Sequence, residues 1–190
     1  TFANQGVYVK PQFLSRIENK SGEVIYEPIP ETHDVLNKDI AFAVIKLLQG
    51  VTESGSGVRL RTQGGGSGDN RWTGYPYMFT NPIAGKTGTT QNQSDGWFMG
   101  MVPNLVTGVW VGCEDRSARF KSLTYGQGAT AALPVWGYFM KKCYADKNLQ
   151  ISKGEFERPK NLSIKVDCYQ RPAIVKDTTQ TEQNTDEFEL

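Results

Sequence analysis

Two apolar runs joined by only two residues constrain this chain most. Trp97-Phe98-Met99-Gly100-Met101-Val102 and Leu105-Val106-Thr107-Gly108-Val109-Trp110-Val111 flank Pro103-Asn104. Both are rich in β-branched and aromatic side chains, and so short a link returns one strand beside the other only as an antiparallel neighbour. The first run is apolar on both alternating faces, which predicts a strand covered on both sides. The stretch before it has strand character too, so residues 83–90, 95–102 and 105–113 are predicted to be three consecutive strands.

Helices and smaller pairings surround this segment. Ile40, Val44, Leu47, Leu48 and Val51 recur at three and four, which predicts a helix over 38–52 with that apolar face. Asn37 suits its N-cap, and Asp39 suits the positive end of its dipole. Residues 6–27 read as paired strands turning at Asn19-Lys20-Ser21-Gly22, followed by a Pro-containing connector over 28–37. Near the other end, 129–145 reads as a helix with Pro134 close to its regular start. Its expected stripe is Val135, Trp136, Phe139, Met140 and Cys143. Residues 161–169 are expected to add a short strand. The fold class is α+β, an antiparallel sheet with packed helices.

Composition divides the chain and narrows its partners. Gln63 to Asn70 has linker composition, so a flexible insertion is expected near 62–72. The folded portion is expected to span 1–150, with an extension over 151–175 and a polar tail without fixed structure over 176–190. The 21 basic and 20 acidic residues leave a net charge of +1, which gives no electrostatic reason to expect nucleic acid as a partner. His33 is the only histidine, and Cys113, Cys143 and Cys168 stand far apart. That set makes no metal site and no disulfide framework. Cys113 and Cys143 read as core filler. There is no run of 18 apolar residues. Thr1-Phe2-Ala3-Asn4 reads as the end of an element begun elsewhere, so the sequence is expected to be part of a longer protein.

The candidate chemistry lies in Gly85-Lys86-Thr87-Gly88-Thr89-Thr90. On a strand, Thr87 and Thr89 share one face and Lys86 and Gly88 the other. Two hydroxyls about 7 Å apart can both hold an extended anionic ligand. The ammonium adds a charge-assisted bond for a carboxylate. Gly88 lets a ligand backbone approach closely, and the strand's N–H groups can pair with it as a neighbouring strand would. Gly-Lys-Thr also ends a phosphate-binding loop, but that motif needs a glycine where this chain has Thr80, and a helix rather than an apolar hairpin after the lysine.

These motifs, in this order, resemble class A penicillin-binding proteins, the bifunctional glycosyltransferase/transpeptidases of peptidoglycan. Thr1 to Pro11 is similar to the segment that precedes the last third of the transpeptidase domain, and Ile17 to Glu27 to the hairpin after it. Ala84 to Thr90 with Asp95-Gly96-Trp97-Phe98 resembles the family's third active-site motif and next strand. Val109-Trp110-Val111-Gly112 and Ala132-Leu133-Pro134-Val135-Trp136 resemble the last strand and closing helix. The resemblance covers about residues 1–145.

It implies a partial β-lactamase/transpeptidase-like fold, no cofactor, and serine acyl transfer that cross-links peptidoglycan stem peptides and is trapped by β-lactams. Lys86 and Thr89 would then be catalytic residues, and Thr87, Gly88, Thr89 and Thr90 would bind substrate. The Thr89 N–H would form half of an oxyanion hole. No Ser-x-x-Lys occurs in the 190 residues. By resemblance that element and a Ser-x-Asn lie upstream, so the chain alone is expected to be inactive and to expose strand surface through which it self-associates. The parent is expected on the periplasmic face of the inner membrane, anchored outside this sequence. The alternatives are a non-catalytic peptidoglycan- or protein-binding module on the same fold, and a β-lactamase.

Overall fold

The computed structural model describes residues 1–61 and 75–166. The expected insertion, the polar tail and Cys168 lie outside the described residues. From the N-terminus, β1 (Val7–Val9) is followed by β2 (Ile17–Glu18), β3 (Val24–Tyr26) and β4 (Thr32–Asp34). The hairpin at Asn19–Gly22 forms as expected: β2 pairs antiparallel with β3, and Gly22 takes a φ of 83° that a side chain would disfavour. The 28–37 connector, however, contains β4, which pairs antiparallel with β1. Thr32-His33-Asp34 is exposed and polar, so backbone bonds hold it and no apolar period announces it.

Helix α1 spans Lys38–Glu53, with the Asn37 side chain accepting the Asp39 N–H at 2.9 Å. Its buried face is Ala41, Phe42, Ile45, Gln49 and Thr52, rather than the expected line through Ile40 and Leu47, which are 46% and 73% exposed. The reason is what the helix lies against. Ile45 packs on Ala84 and Met101 of the sheet, where a small residue lets the helix come close. Thr52 is buried because its hydroxyl donates to the Ile83 carbonyl at 2.6 Å.

The central sheet is β5 (Ala84–Thr89), β6 (Asp95–Val102) and β7 (Leu105–Gly112), in that order and antiparallel throughout. Pro103-Asn104 makes the turn between β6 and β7, as the short link requires. Two single-turn helices, α2 (Leu123–Gly126) and α3 (Gly128–Ala131), lead into α4 (Leu133–Ala145), with Pro134 in its first turn. Helix α4 covers the sheet face carrying Phe98, Gly100 and Val102. Trp136 is its centre: fully buried, edge-on to Phe98 with ring centroids 5.3 Å apart. A Cβ on Gly100 would stand 2.4 Å from the Trp136 ring, so this core needs a glycine there. Leu133, Trp136, Met140 and Cys143 form the buried stripe, while Val135 and Phe139, one line round the helix, are half-exposed.

The opposite sheet face is covered by α1 only at its Ala84–Met101 end. Trp97 and Met99 remain 43% and 41% exposed, so β6 is not walled on both sides as its composition suggested. Trp97 instead lies beside its cross-strand partner Trp110, with centroids 6.3 Å apart and the rings tilted by 37°. Cys113, expected in the core, is exposed just beyond the end of β7; Cys143 is buried.

After α4 the chain runs back without regular structure, and residues 161–166 form no strand. It is tied down by polar contacts, which leave no periodic signal. Asn104 holds it at Gln150 and Ser152, and Phe156 packs beside Ile45. The Asp39 carboxylate accepts the Ser163 N–H at 2.8 Å and its hydroxyl at 2.5 Å, which holds that carboxyl below the usual range.

Candidate active site

Strand β5 is one of the two outer strands of the sheet among the described residues, and its phase determines which groups face outward. Thr90 donates its N–H to the Asp95 carbonyl at 3.1 Å, and the register pairs Gly88 with Trp97, Lys86 with Met99 and Ala84 with Met101. In an antiparallel ladder this makes those three the hydrogen-bonded pairs. Gly85, Thr87 and Thr89 therefore direct their N–H and C=O groups away from β6, toward an edge with no strand beside it among the described residues.

The side chains follow the alternation read from the sequence. Thr87 and Thr89 lie opposite Phe98 and Gly96, on the face toward α3; Lys86 and Gly88 lie on the other. The exposed Lys86 ammonium curls back to the edge and donates to the Thr87 carbonyl at 2.8 Å. The Thr87 hydroxyl is 2.7 Å from the hydroxyl of Ser56, in the loop after α1. The Thr89 hydroxyl accepts the Gly128 N–H of α3 at 3.0 Å. Lys86, Thr87, Gly88 and Thr89 are thus together on one accessible rim.

Thr90 sits where β5 turns into β6. Its hydroxyl accepts the Asp95 N–H at 3.0 Å and lies 3.0 Å from the Asp95 carboxylate and 2.9 Å from the Ser94 hydroxyl. The other Asp95 oxygen accepts Trp110 Nε1–H at 3.0 Å, while Arg116 stands 3.4 Å from the oxygen shared with Thr90. The Trp110 bond, then those of Thr90 and Ser94, together with the charge of Arg116, hold the Asp95 carboxyl below its usual range. This network staples the turn, so the end of the rim is fixed.

Sequence reasoning did not single out Ser56 or Gly128. They lie 31 and 39 residues from their threonine partners, and neither has a periodic or motif signal of its own. Gly128 is required by space, since a Cβ there would be 2.4 Å from both the Gly88 and Trp97 carbonyl oxygens.

A family model described as the penicillin binding protein transpeptidase domain matches residues 1–131. The chain belongs to this family. Among similar proteins, penicillin-binding protein 1A of Aquifex aeolicus is 30% identical over 168 residues, which are 87% of this chain and 20% of that protein. Penicillin-binding protein 1A of Clostridium botulinum (strain Langeland) is 29% identical over 147 residues, 76% of this chain and 15% of that protein. The chain thus spans a fifth or less of the length of these relatives.

Solved structures of penicillin-binding proteins share the fold. Penicillin-binding protein 1A from Haemophilus influenzae superposes with a TM-score of 0.61 at 21% identity, over 84% of this chain and 26% of that one. PonA1 from Mycobacterium tuberculosis, in complex with penicillin V, gives 0.58 at 22% identity, over 84% and 39%. The α+β architecture with an antiparallel sheet is therefore that of a penicillin-binding transpeptidase domain.

Proposed function

We propose that this chain is the C-terminal part of the transpeptidase domain of a bifunctional, membrane-anchored peptidoglycan synthase working on the periplasmic face. In this reading β5 is the rim that receives the donor stem peptide, and β-lactams compete for it. The observation that carries the reading is the open edge of β5, with the Thr89 N–H pointing out beside two hydroxyls and an ammonium.

The reaction is serine acyl transfer. A serine supplied from outside these 190 residues attacks the carbonyl of the penultimate D-Ala. Its proton passes to the departing amine, the terminal D-Ala leaves, and an ester to the enzyme remains. An amine of a neighbouring stem then attacks that ester, forms the cross-link and returns a proton to the serine. The substrate's terminal carboxylate lies on the Thr87 and Thr89 hydroxyls, and Lys86 supports it by charge. Gly88 leaves the approach clear, and Thr90, its hydroxyl held by Asp95 and Ser94, fixes the end of the strand against which the substrate lies. The Thr89 N–H faces the oxygen on which negative charge develops. One such donor contributes about 3–4 kcal/mol to lowering the barrier.

Because the sequence contains no Ser-x-x-Lys, the isolated chain forms no acyl-enzyme. A fluorescent penicillin tests both halves of the reading. The full-length protein is expected to become covalently labelled, more than ten-fold more slowly when Lys86→Ala is introduced. The isolated chain is expected to take no label. An unlabelled full-length protein refutes the transpeptidase reading, and a labelled isolated chain refutes the external nucleophile.

A further inference from the structure

We propose that Ser56 and the Gly128 amide act as positioning groups that turn the Thr87 and Thr89 hydroxyls into outward proton donors. The rim would then discriminate for an anionic ligand group over a neutral one of the same shape. The inference rests on the transpeptidase reading above and adds a specificity device to it.

A hydroxyl carries one proton and two lone pairs, so its polarity depends on what its neighbours can do. A backbone N–H only donates. With Gly128 N–H directed at Thr89 Oγ1 at 3.0 Å, a lone pair of that oxygen is engaged and its proton is turned elsewhere. At Thr87 the neighbour is another hydroxyl, 2.7 Å away, and a single proton lies between the two oxygens. When a carboxylate arrives, Thr87 donates to it and Ser56 donates to Thr87, so both oxygens remain satisfied. When a neutral group arrives, the second donor gains far less, because charge-assisted bonds are about twice as strong as neutral ones.

The structure makes Ser56 a fixed partner rather than a loose loop side chain. The turn that carries it is closed by Ser54 N–H to the Gly50 carbonyl at 3.0 Å, Gly57 N–H to Val51 at 2.9 Å and Val58 N–H to Gly55 at 3.1 Å. The same helix end is bonded to the residue just before β5, through the Thr52 hydroxyl on the Ile83 carbonyl at 2.6 Å. Ser56 and Thr87 are therefore held on one rigid unit. Lys86, donating to the Thr87 carbonyl, places positive charge on the same stretch.

The test uses the full-length protein and two probes, a fluorescent penicillin with its free carboxylate and the methyl ester of the same molecule. The readout is the ratio of their second-order acylation rate constants. Ser56→Ala is expected to lower the carboxylate-to-ester ratio about ten-fold, with the loss in the binding step rather than in the limiting acylation rate. Ser56→Thr keeps a hydroxyl and is expected to restore the ratio. In the Thr87→Val background, Ser56→Ala is expected to change nothing further, because its effect passes through Thr87. A Ser56→Ala protein with the wild-type ratio, or one that loses both probes equally, overturns the inference while the transpeptidase reading stands. A wild type that takes neither probe overturns both.

Discussion

Two glycine-to-alanine substitutions should move stability in opposite directions, for reasons readable from the packing. Gly128 lies at the start of α3, where an added Cβ would stand 2.4 Å from the carbonyl oxygens of both Gly88 and Trp97. Both are backbone atoms in paired strands and cannot swing aside. Reaching ordinary contact needs a retreat of α3 by about 1 Å. That stretches the Gly128 N–H to Thr89 hydroxyl bond, 3.0 Å in the native chain, toward about 4 Å, where it no longer counts as a bond. Overpacking costs about 1–3 kcal/mol and the lost bond about 1 kcal/mol, so Gly128→Ala should cost about 2–4 kcal/mol.

Gly50 is the control. It lies inside α1, and apart from its neighbours and the helix's own backbone no described atom stands within 4 Å of the place an added Cβ would take. Gly50→Ala should therefore stabilise by about 0.8–1 kcal/mol through helix propensity alone. Urea titrations followed by tryptophan fluorescence read both. With a slope of about 2 kcal/mol/M, Gly128→Ala should lower the midpoint by about 1–2 M and Gly50→Ala should raise it by about 0.4–0.5 M. A Gly128→Ala midpoint at or above the wild type, alongside the expected rise for Gly50→Ala, would show that α3 is not pressed against the β5–β6 backbone.

Thr52→Val keeps the shape of a fully buried side chain but strands the Ile83 carbonyl and removes an acceptor 3.1 Å from the Arg61 guanidinium. It should cost about 1–3 kcal/mol in the same titration, and Thr52→Ser should recover part of it. Asp39 tests the anchoring of the C-terminal run. Its carboxyl is depressed first by the Ser163 hydroxyl and then by the Ser163 N–H, so its contribution is present above the unfolded value, about 4, and is lost as pH falls through the lower folded value. The stability difference between wild type and Asp39→Asn should be constant from about pH 5 to 7 and shrink as the pH falls below about 4; a difference that does not shrink refutes the assignment.

The candidate site was legible because strand geometry is local. Once Lys86-Thr87-Gly88-Thr89 is read as a strand, the period of two alone puts both hydroxyls on one face, and the structure agrees. The two-residue link likewise made β6 and β7 antiparallel whatever packed on them. What the sequence hid were long-range partners. Ser56 and Gly128 meet the threonines only after α1 and α3 have docked, and β4 exists only because β1 offers its backbone. The face of α1 was misread because apolar period shows that a helix is amphipathic but not which line a neighbouring sheet will accept. Ile45 fits against Ala84, whereas Ile40 and Leu47 stay largely exposed among the described residues.

Local order along the chain thus came from the sequence by itself: the three strands, their antiparallel sense, the Asn37 cap of α1, and the row of donors on one short stretch. Side-chain alternation, turn length and capping act over a few residues, so they need no knowledge of the rest. Only the tertiary structure decided that β5 has no strand beside its outer edge among the described residues, which helix face is buried, and which groups stand beside each threonine hydroxyl. Those outcomes depend on atoms brought within hydrogen-bond or van der Waals reach across tens of residues, and no short-range rule specifies them.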